Sequence, residues 1–162
     1  MVNILSLPLI TGASKMKTVL ASGSFDLVHY GHIRFLEEAK KSGGKDARLV
    51  VIVARDKTVE KLKGNKPVIP EDQRRAVVEA LKPVDEALLG FENMSIIDVI
   101  LQLKPDIIAI GHDQNYIEEE VKRIGIMIDL DFKIIHIGRF GPSDLNSSSK
   151  IRRKIVELEE QT

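Results

Sequence analysis

Apolar residues along the chain gather into short, near-continuous runs at Thr18 to Ala21, Leu49 to Ala54, Ile107 to Ile110 and Ile134 to Ile137. Runs of this length without alternation belong to strands covered on both faces. Ala87-Leu88-Leu89 supplies a fifth, shorter candidate. Helical spacing fills the gaps. Ile33, Leu36 and Ala39 share a face that stops at Gly43-Gly44, and Gln73 to Leu81, Ile96 to Leu103 and Glu118 to Ile124 give three more helices. A last helix is predicted from Lys150 toward Glu159, capped by Ser147-Ser148-Ser149, with Ile151, Ile155 and Leu158 on its inner face and Arg152, Arg153 and Lys154 largely on the other. Strand alternating with helix predicts an α/β fold: a single Rossmann-like three-layer α/β/α domain with a five-stranded parallel sheet and right-handed crossovers. Ligands of such sheets bind at the carboxyl ends of the strands.

Length agrees with one domain, because 162 residues suffice to remove roughly 70% of the unfolded surface from water. Residues 1–15 are set apart as an N-terminal extension. The run Ile4 to Ile10 is broken by Pro8 and lacks a cationic start, and Met16 directly precedes the first strand, so residues 16–162 form the expected domain. Lys plus Arg equals Asp plus Glu at 24 each, which leaves no global field to recruit nucleic acid or an anionic membrane. No apolar stretch approaches a bilayer span. The chain has no cysteine, which excludes a thiolate nucleophile and a zinc-thiolate site and fits a cytoplasmic location.

Chemistry concentrates after the first strand, where Ser22-Gly23-Ser24-Phe25-Asp26 leads into His29-Tyr30-Gly31-His32 and a helix. Free amide N–H groups and the positive end of a helix dipole collect anions there. His29 and His32, three apart across a helix start, can set both rings above one phosphate. Donors fixed at that place stabilise the charge that builds up when an acceptor attacks an α-phosphorus and pyrophosphate leaves. Gly23 and Gly31 lack a Cβ and are expected to let phosphate oxygens approach the backbone, with Phe25 anchoring the turn in the core. Taken one at a time, a histidine is more often packed or solvated, and a glycine turn often only turns. The order strand, turn, paired histidines, helix is what singles these residues out.

Gly23-Ser24-Phe25-Asp26 with His29-Tyr30-Gly31-His32 resembles the G-T-F-D and H-x-G-H signature of the cytidylyltransferase-like nucleotidyltransferases, with serine keeping the hydroxyl of threonine. The likeness continues through Val53 to Val59, Ile69 to Arg75, Glu79 to Asp85, Gly111-His112-Asp113-Gln114 and Asn146 to Ile151, and is most similar in wording to archaeal FAD synthases. That resemblance implies transfer of AMP from ATP to FMN, giving FAD and pyrophosphate, with magnesium or another divalent cation accompanying the ATP. It implies His29 and His32 as catalytic residues, phosphate contacts from Gly23, Ser24, Phe25 and Gly31, a nucleotide contact from Arg74, and a ribose-side or base-side contact from Asp113. Ser147, Ser148 and Ser149 match the segment that holds the β- and γ-phosphates, a role that a hydroxyl-bearing helix start also supports physically; ordinary capping explains these serines equally well. Arg139 sits in a loop where relatives carry a phosphate-binding arginine, although the spacing differs here. Lys57, Lys61 and Lys63 are candidates for the acceptor phosphate, but lysines in so charged a stretch are more often simply solvated. His112 reads as a neighbour of the base or a bystander. A homodimer is a further expectation of the resemblance.

Two other functions remain open at this point. One keeps the chemistry with CTP and glycerol-3-phosphate or another phosphorylated alcohol. The other is a nucleotide-binding module without catalysis, which would have no need of transition-state donors. Tyr30, Phe91, Tyr116 and Phe140 are candidates to stack on a flavin and are not ranked by sequence.

Overall fold

The computed structural model describes residues 15–90, 95–141 and 145–161. Five strands, β1 (Thr18–Gly23), β2 (Arg48–Val53), β3 (Glu86–Leu89), β4 (Ile107–Gly111) and β5 (Lys133–Ile137), form one parallel sheet in the order β3-β2-β1-β4-β5. Among the described residues six helices accompany them: α1 (Tyr30–Ser42), α2 (Asp56–Lys63), α3 (Glu71–Glu79), α4 (Ile96–Leu103) and α5 (Asn115–Ile128) between strands, and α6 (Ser148–Glu159) after the last. The predicted Rossmann-like fold and its five strands are observed.

Residues within a strand point alternately to two cores. Val19 and Ala21 of β1, with Ile107 and Ala109 of β4, pack against Leu36 and Ala39 of α1 and Val78 of α3. Leu20, Ile108 and Ile110 face the other way, toward Val99 and Ile100 of α4 and Val121 and Ile124 of α5. Both faces of the sheet are therefore covered, which is why the strands read as continuous apolar runs.

Chain order reverses between β1 and β4, the topological switch point at which such sheets hold ligands. The two strands pair only from Val19 to Ala21, whereas β1 and β2 stay paired as far as Gly23 and Val53. Ser22 and Gly23 are therefore left without a strand partner on the β4 side.

The structure differs from the sequence expectation in two elements. Asp56–Lys63, read as a charged stretch, is helix α2; it buries only Val59 and ends at Gly64 in the left-handed conformation, φ +76°. Two apolar residues in eight, Val59 and Leu62, are too few to stand out as a periodic signal among so many charges. The second difference concerns α6. Ile155 and Leu158 do not form an inner face, being 48% and 52% exposed, and among the described residues α6 buries none of its own. Its attachments lie at its start. Ser148 Oγ meets the backbone of Leu27 at 3.4 Å, and Arg152, expected to face away, lies 3.8 Å from the Asp26 carboxylate. The proposed extension falls outside the described residues except for Lys15.

Candidate active site

The turn after β1 is held from both sides by side chains that bond its carbonyls. Gln114 Nε2 donates to the Ser22 carbonyl at 2.9 Å, while Gln114 Oε1 accepts from Gly111 N, also at 2.9 Å. One amide thus spans the gap where β1 and β4 have stopped pairing. From the opposite flank, Arg74 Nη1 donates to the Ser24 carbonyl. Arg74 is fully buried; Nε donates to the Ile69 carbonyl at 2.9 Å, and Nη2 to the Ala54 carbonyl and to Asp56 Oδ1, both at 2.7 Å. Four of its five N–H groups are thereby committed to the protein, and Arg74 positions the turn. Below it, the Glu71 carboxylate accepts from Arg55 Nη1 and from Asp56 N, each at 2.7 Å, locking the start of α2 to the start of α3.

Phe25 lies in the left-handed region at φ +47°, with its ring fully buried. A non-glycine residue there carries strain of order 1 kcal/mol or more. The ring lies directly over Gly23, where a Cβ would fall 2.8 Å from Cε2. Gly23 therefore makes room for Phe25. At Gly31 a Cβ would sit 3.0 Å from the His29 ring and 3.1 Å from the Phe140 carbonyl, so this glycine makes room for the ring of His29. Asp26, buried, accepts from Val68 N at 2.7 Å and Ile69 N at 3.0 Å, fastening the turn to the segment before α3.

His29 and His32 start α1 and cap it reciprocally. His29 Nδ1 accepts from Gly31 N at 3.1 Å, and His32 Nδ1 accepts from His29 N at 3.4 Å. The rings stack with centroids 3.8 Å apart, and His32 leans on Phe25 at 5.2 Å. Burial pushes His29 below its ordinary pKa. His32 is pushed down to about 3, chiefly by burial, then by His29 and Lys63. Both rings are neutral at pH 7. A neutral imidazole that accepts through Nδ1 carries its proton on Nε2, so each histidine keeps one N–H for a ligand.

Lys63, not Lys57, reaches the turn. Its ammonium donates to Ser24 Oγ at 2.8 Å from the last turn of α2, whereas Lys57 stands exposed on the first turn. The helix that carries Lys63 was invisible in the sequence, so the lysine read as one of several solvated ones.

Asp113 is exposed in the turn that follows β4. Its charge, after burial, raises the pKa of Tyr116. Arg139 Nε donates to His112 Nε2 at 3.0 Å, joining the carboxyl ends of β4 and β5. Ser147 caps α6 by accepting from Lys150 N at 3.3 Å, Ser148 meets Leu27, and Ser149 is exposed. The α6 start is thereby brought up to the loop before α1. Among the aromatic candidates, Tyr30 and Tyr116 are 57% and 53% exposed, Phe140 is half-buried with the Arg34 guanidinium 5.4 Å from its ring centre, and Phe91 lies outside the described residues.

Paired imidazoles set at a helix start, where the order of a parallel sheet reverses, suit the transfer of a nucleotidyl group, and the comparisons give the same class. The chain belongs to the Cytidylyltransferase-like family, whose profile matches residues 20–154. Curated relatives include the FAD synthase of Methanothermobacter marburgensis, 47% identical over 150 residues that cover 90% of this chain and 89% of that protein. The FAD synthase of Ferroglobus placidus is 50% identical over 147 residues, covering 88% of this chain and 90% of that one. A solved structure described as a lipopolysaccharide core biosynthesis protein from Thermoplasma volcanium superposes with a TM-score of 0.70 at 39% identity, over 78% of this chain and 99% of that one.

Proposed function

We propose that the chain transfers AMP from ATP to the phosphate of FMN, producing FAD and pyrophosphate. The observation that carries the chemistry is the pair of stacked, neutral imidazoles whose Nδ1 atoms are occupied by backbone amides. The choice of ATP and FMN is supported by the FAD synthases that match over nearly the whole chain. A terminal phosphate oxygen of FMN attacks the α-phosphorus of ATP, the bond to the bridging oxygen breaks, and pyrophosphate leaves with the electron pair. The acceptor is already ionised, so positioning and charge stabilisation supply the rate and no general base is required.

In this reading Nε2–H of His29 and of His32 donate to the transferring phosphoryl group, and Lys63 brings a full positive charge beside Ser24. Ser24 and Phe25 contribute backbone amides, Asp113 meets the nucleoside, and the α6 start with Ser147 to Ser149 receives the β- and γ-phosphates. Arg139 adds a cation at the same rim. Magnesium or a similar cation enters with the triphosphate and neutralises part of its charge. Such a cation would be held largely by phosphate oxygens and water, as magnesium commonly is. No helix of the described residues is long and apolar enough to cross a membrane; both substrates are cytoplasmic metabolites, which supports the cytoplasm as the location.

The test is to supply ATP or CTP with FMN or glycerol-3-phosphate and identify the products by mass. FAD from ATP plus FMN is the expected outcome. Product from CTP plus glycerol-3-phosphate alone would replace the substrates, and tight ATP binding without turnover on any acceptor would make the chain a binding module.

A further inference from the structure

Arg139 differs from the other arginines near the turn in what holds it. Arg55 and Arg74 are each bonded to a carboxylate, that of Glu71 and that of Asp56. Arg139 is bonded to an imidazole: Nε donates to His112 Nε2 at 3.0 Å, and among the described residues it forms no ion pair. The sheet register accounts for the meeting. Gly111 of β4 is aligned with Ile137 of β5, so His112, one residue further on, and Arg139, two residues further on, leave neighbouring strands side by side at their carboxyl ends. Both side chains are exposed. The end of β4 is itself fixed, because Gln114 Oε1 accepts from Gly111 N at 2.9 Å. Directly after Arg139 the chain comes up to the start of α1, where the Phe140 carbonyl lies 3.1 Å from the place a Cβ of Gly31 would take.

We propose that His112 is a positioning residue for the triphosphate: it holds Arg139 by Nε and leaves the paired Nη1 and Nη2 edge of the guanidinium to receive the β- and γ-phosphates of ATP. The inference rests on the reading that ATP docks at this rim. Arginine does not lose its proton in a protein, so the bond from Nε requires His112 Nε2 to be an acceptor, and the ring then carries its proton on Nδ1. That tautomer is the opposite of the one assigned to His29 and His32, whose Nδ1 atoms accept. An uncharged anchor does two things that a carboxylate or open solvent would not. It fixes a long side chain before the ligand arrives, which removes part of the ordering cost of binding. It also leaves the positive charge unanswered until a phosphate comes. Because the anchor uses Nε, the Nη1 and Nη2 fork stays whole, and that fork matches two oxygens of one phosphate. AMP has no β- or γ-phosphate, so the pair should act on ATP affinity and not on AMP affinity.

Two measurements on the full chain test this, and neither needs FMN or turnover. Nitrogen–proton correlation spectra of the imidazoles at pH 8 should show His112 protonated on Nδ1 and His29 and His32 protonated on Nε2. These spectra need no variant, so a substitution that misfolds leaves the test standing. In calorimetric titrations with ATP and with AMP, each with magnesium, His112→Ala should weaken ATP by about tenfold, the scale of one charge-assisted contact, and leave AMP within about twofold. His112→Gln, whose Oε1 accepts from Arg139 Nε, should recover most of the loss. Arg139→Ala should lose at least as much as His112→Ala, and the double variant no more than Arg139→Ala alone, because the histidine acts only through the arginine. A proton on His112 Nε2, an ATP affinity untouched by His112→Ala, or losses that add in the double variant would overturn the inference while leaving the proposed reaction in place. So would AMP weakened as much as ATP, the mark of a residue that merely keeps the rim folded. A wild type that binds neither nucleotide would overturn the reading of the site itself, and the inference with it.

Discussion

At the residue scale, the role proposed for the two histidines follows from the fold keeping them neutral. Their Nδ1 atoms serve the helix start, which leaves their Nε2–H groups to donate, and burial with Lys63 nearby suppresses the charged form of His32. The folded His32 holds no proton between its ordinary value near 6.5 and about 3, whereas the unfolded chain does, so stability falls as pH drops through that window. Replacing His32 with Gln should flatten the dependence, read as denaturant midpoints from pH 7 down to pH 4; an unchanged slope would show a ring that is already charged. Gln114 joins two strand ends through two neutral hydrogen bonds of about 1 kcal/mol each. Gln114→Ala is expected to cost about 2 kcal/mol in stability and tenfold or more in kcat/KM, since the turn then drifts relative to the end of β4; a stable, fully active variant would refute the positioning role. For Arg74, Arg74→Lys loses the planar fork that bonds four groups at once, and chemical denaturation should report a loss of about 3 kcal/mol or more. The sequence singled out Arg74 and the histidines, and the structure brings them together at the turn after β1. The sequence could not tell that the missing Cβ atoms of Gly23 and Gly31 make room for the rings of Phe25 and His29, because a glycine reads the same whichever neighbour fills the space.

At the scale of elements, burial decided what was legible. Strands covered on both faces announce themselves, and β1, β2, β4 and β5 lie within a residue or two of their predicted bounds. Helix α2 has two apolar residues, of which Val59 is buried and Leu62 exposed, so it left little trace in the apolar pattern, and Lys63 was lost with it. The stripe of α6 was plain, but a stripe does not say whether its own domain covers it. The position of Lys63 rests on the left-handed cap at Gly64. Gly64→Ala should destabilise by about 1 kcal/mol and fray the turn that carries Lys63; substrate KM is expected to rise while kcat changes less. A KM equal to wild type would detach Lys63 from binding.

At the scale of the whole molecule, the sheet order places the reversal between β1 and β4, and each feature of the site depends on that reversal. It leaves the end of β1 unpaired on one side, gives Gln114 a gap to span, and allows the starts of α1 and α6 to meet at one rim. A formal net charge of zero suits the proposed reaction, in which two helix starts and a few local cations, not a general field, would capture the anionic substrates. The most direct test of the account is the rate of FAD formation from ATP and FMN by wild type, His29→Ala and His32→Ala, with folding checked by circular dichroism. Wild type should form FAD, and each variant should lose on the order of 100-fold in kcat with a smaller change in KM for ATP. Undiminished turnover in either folded variant would contradict the role given to the paired imidazoles.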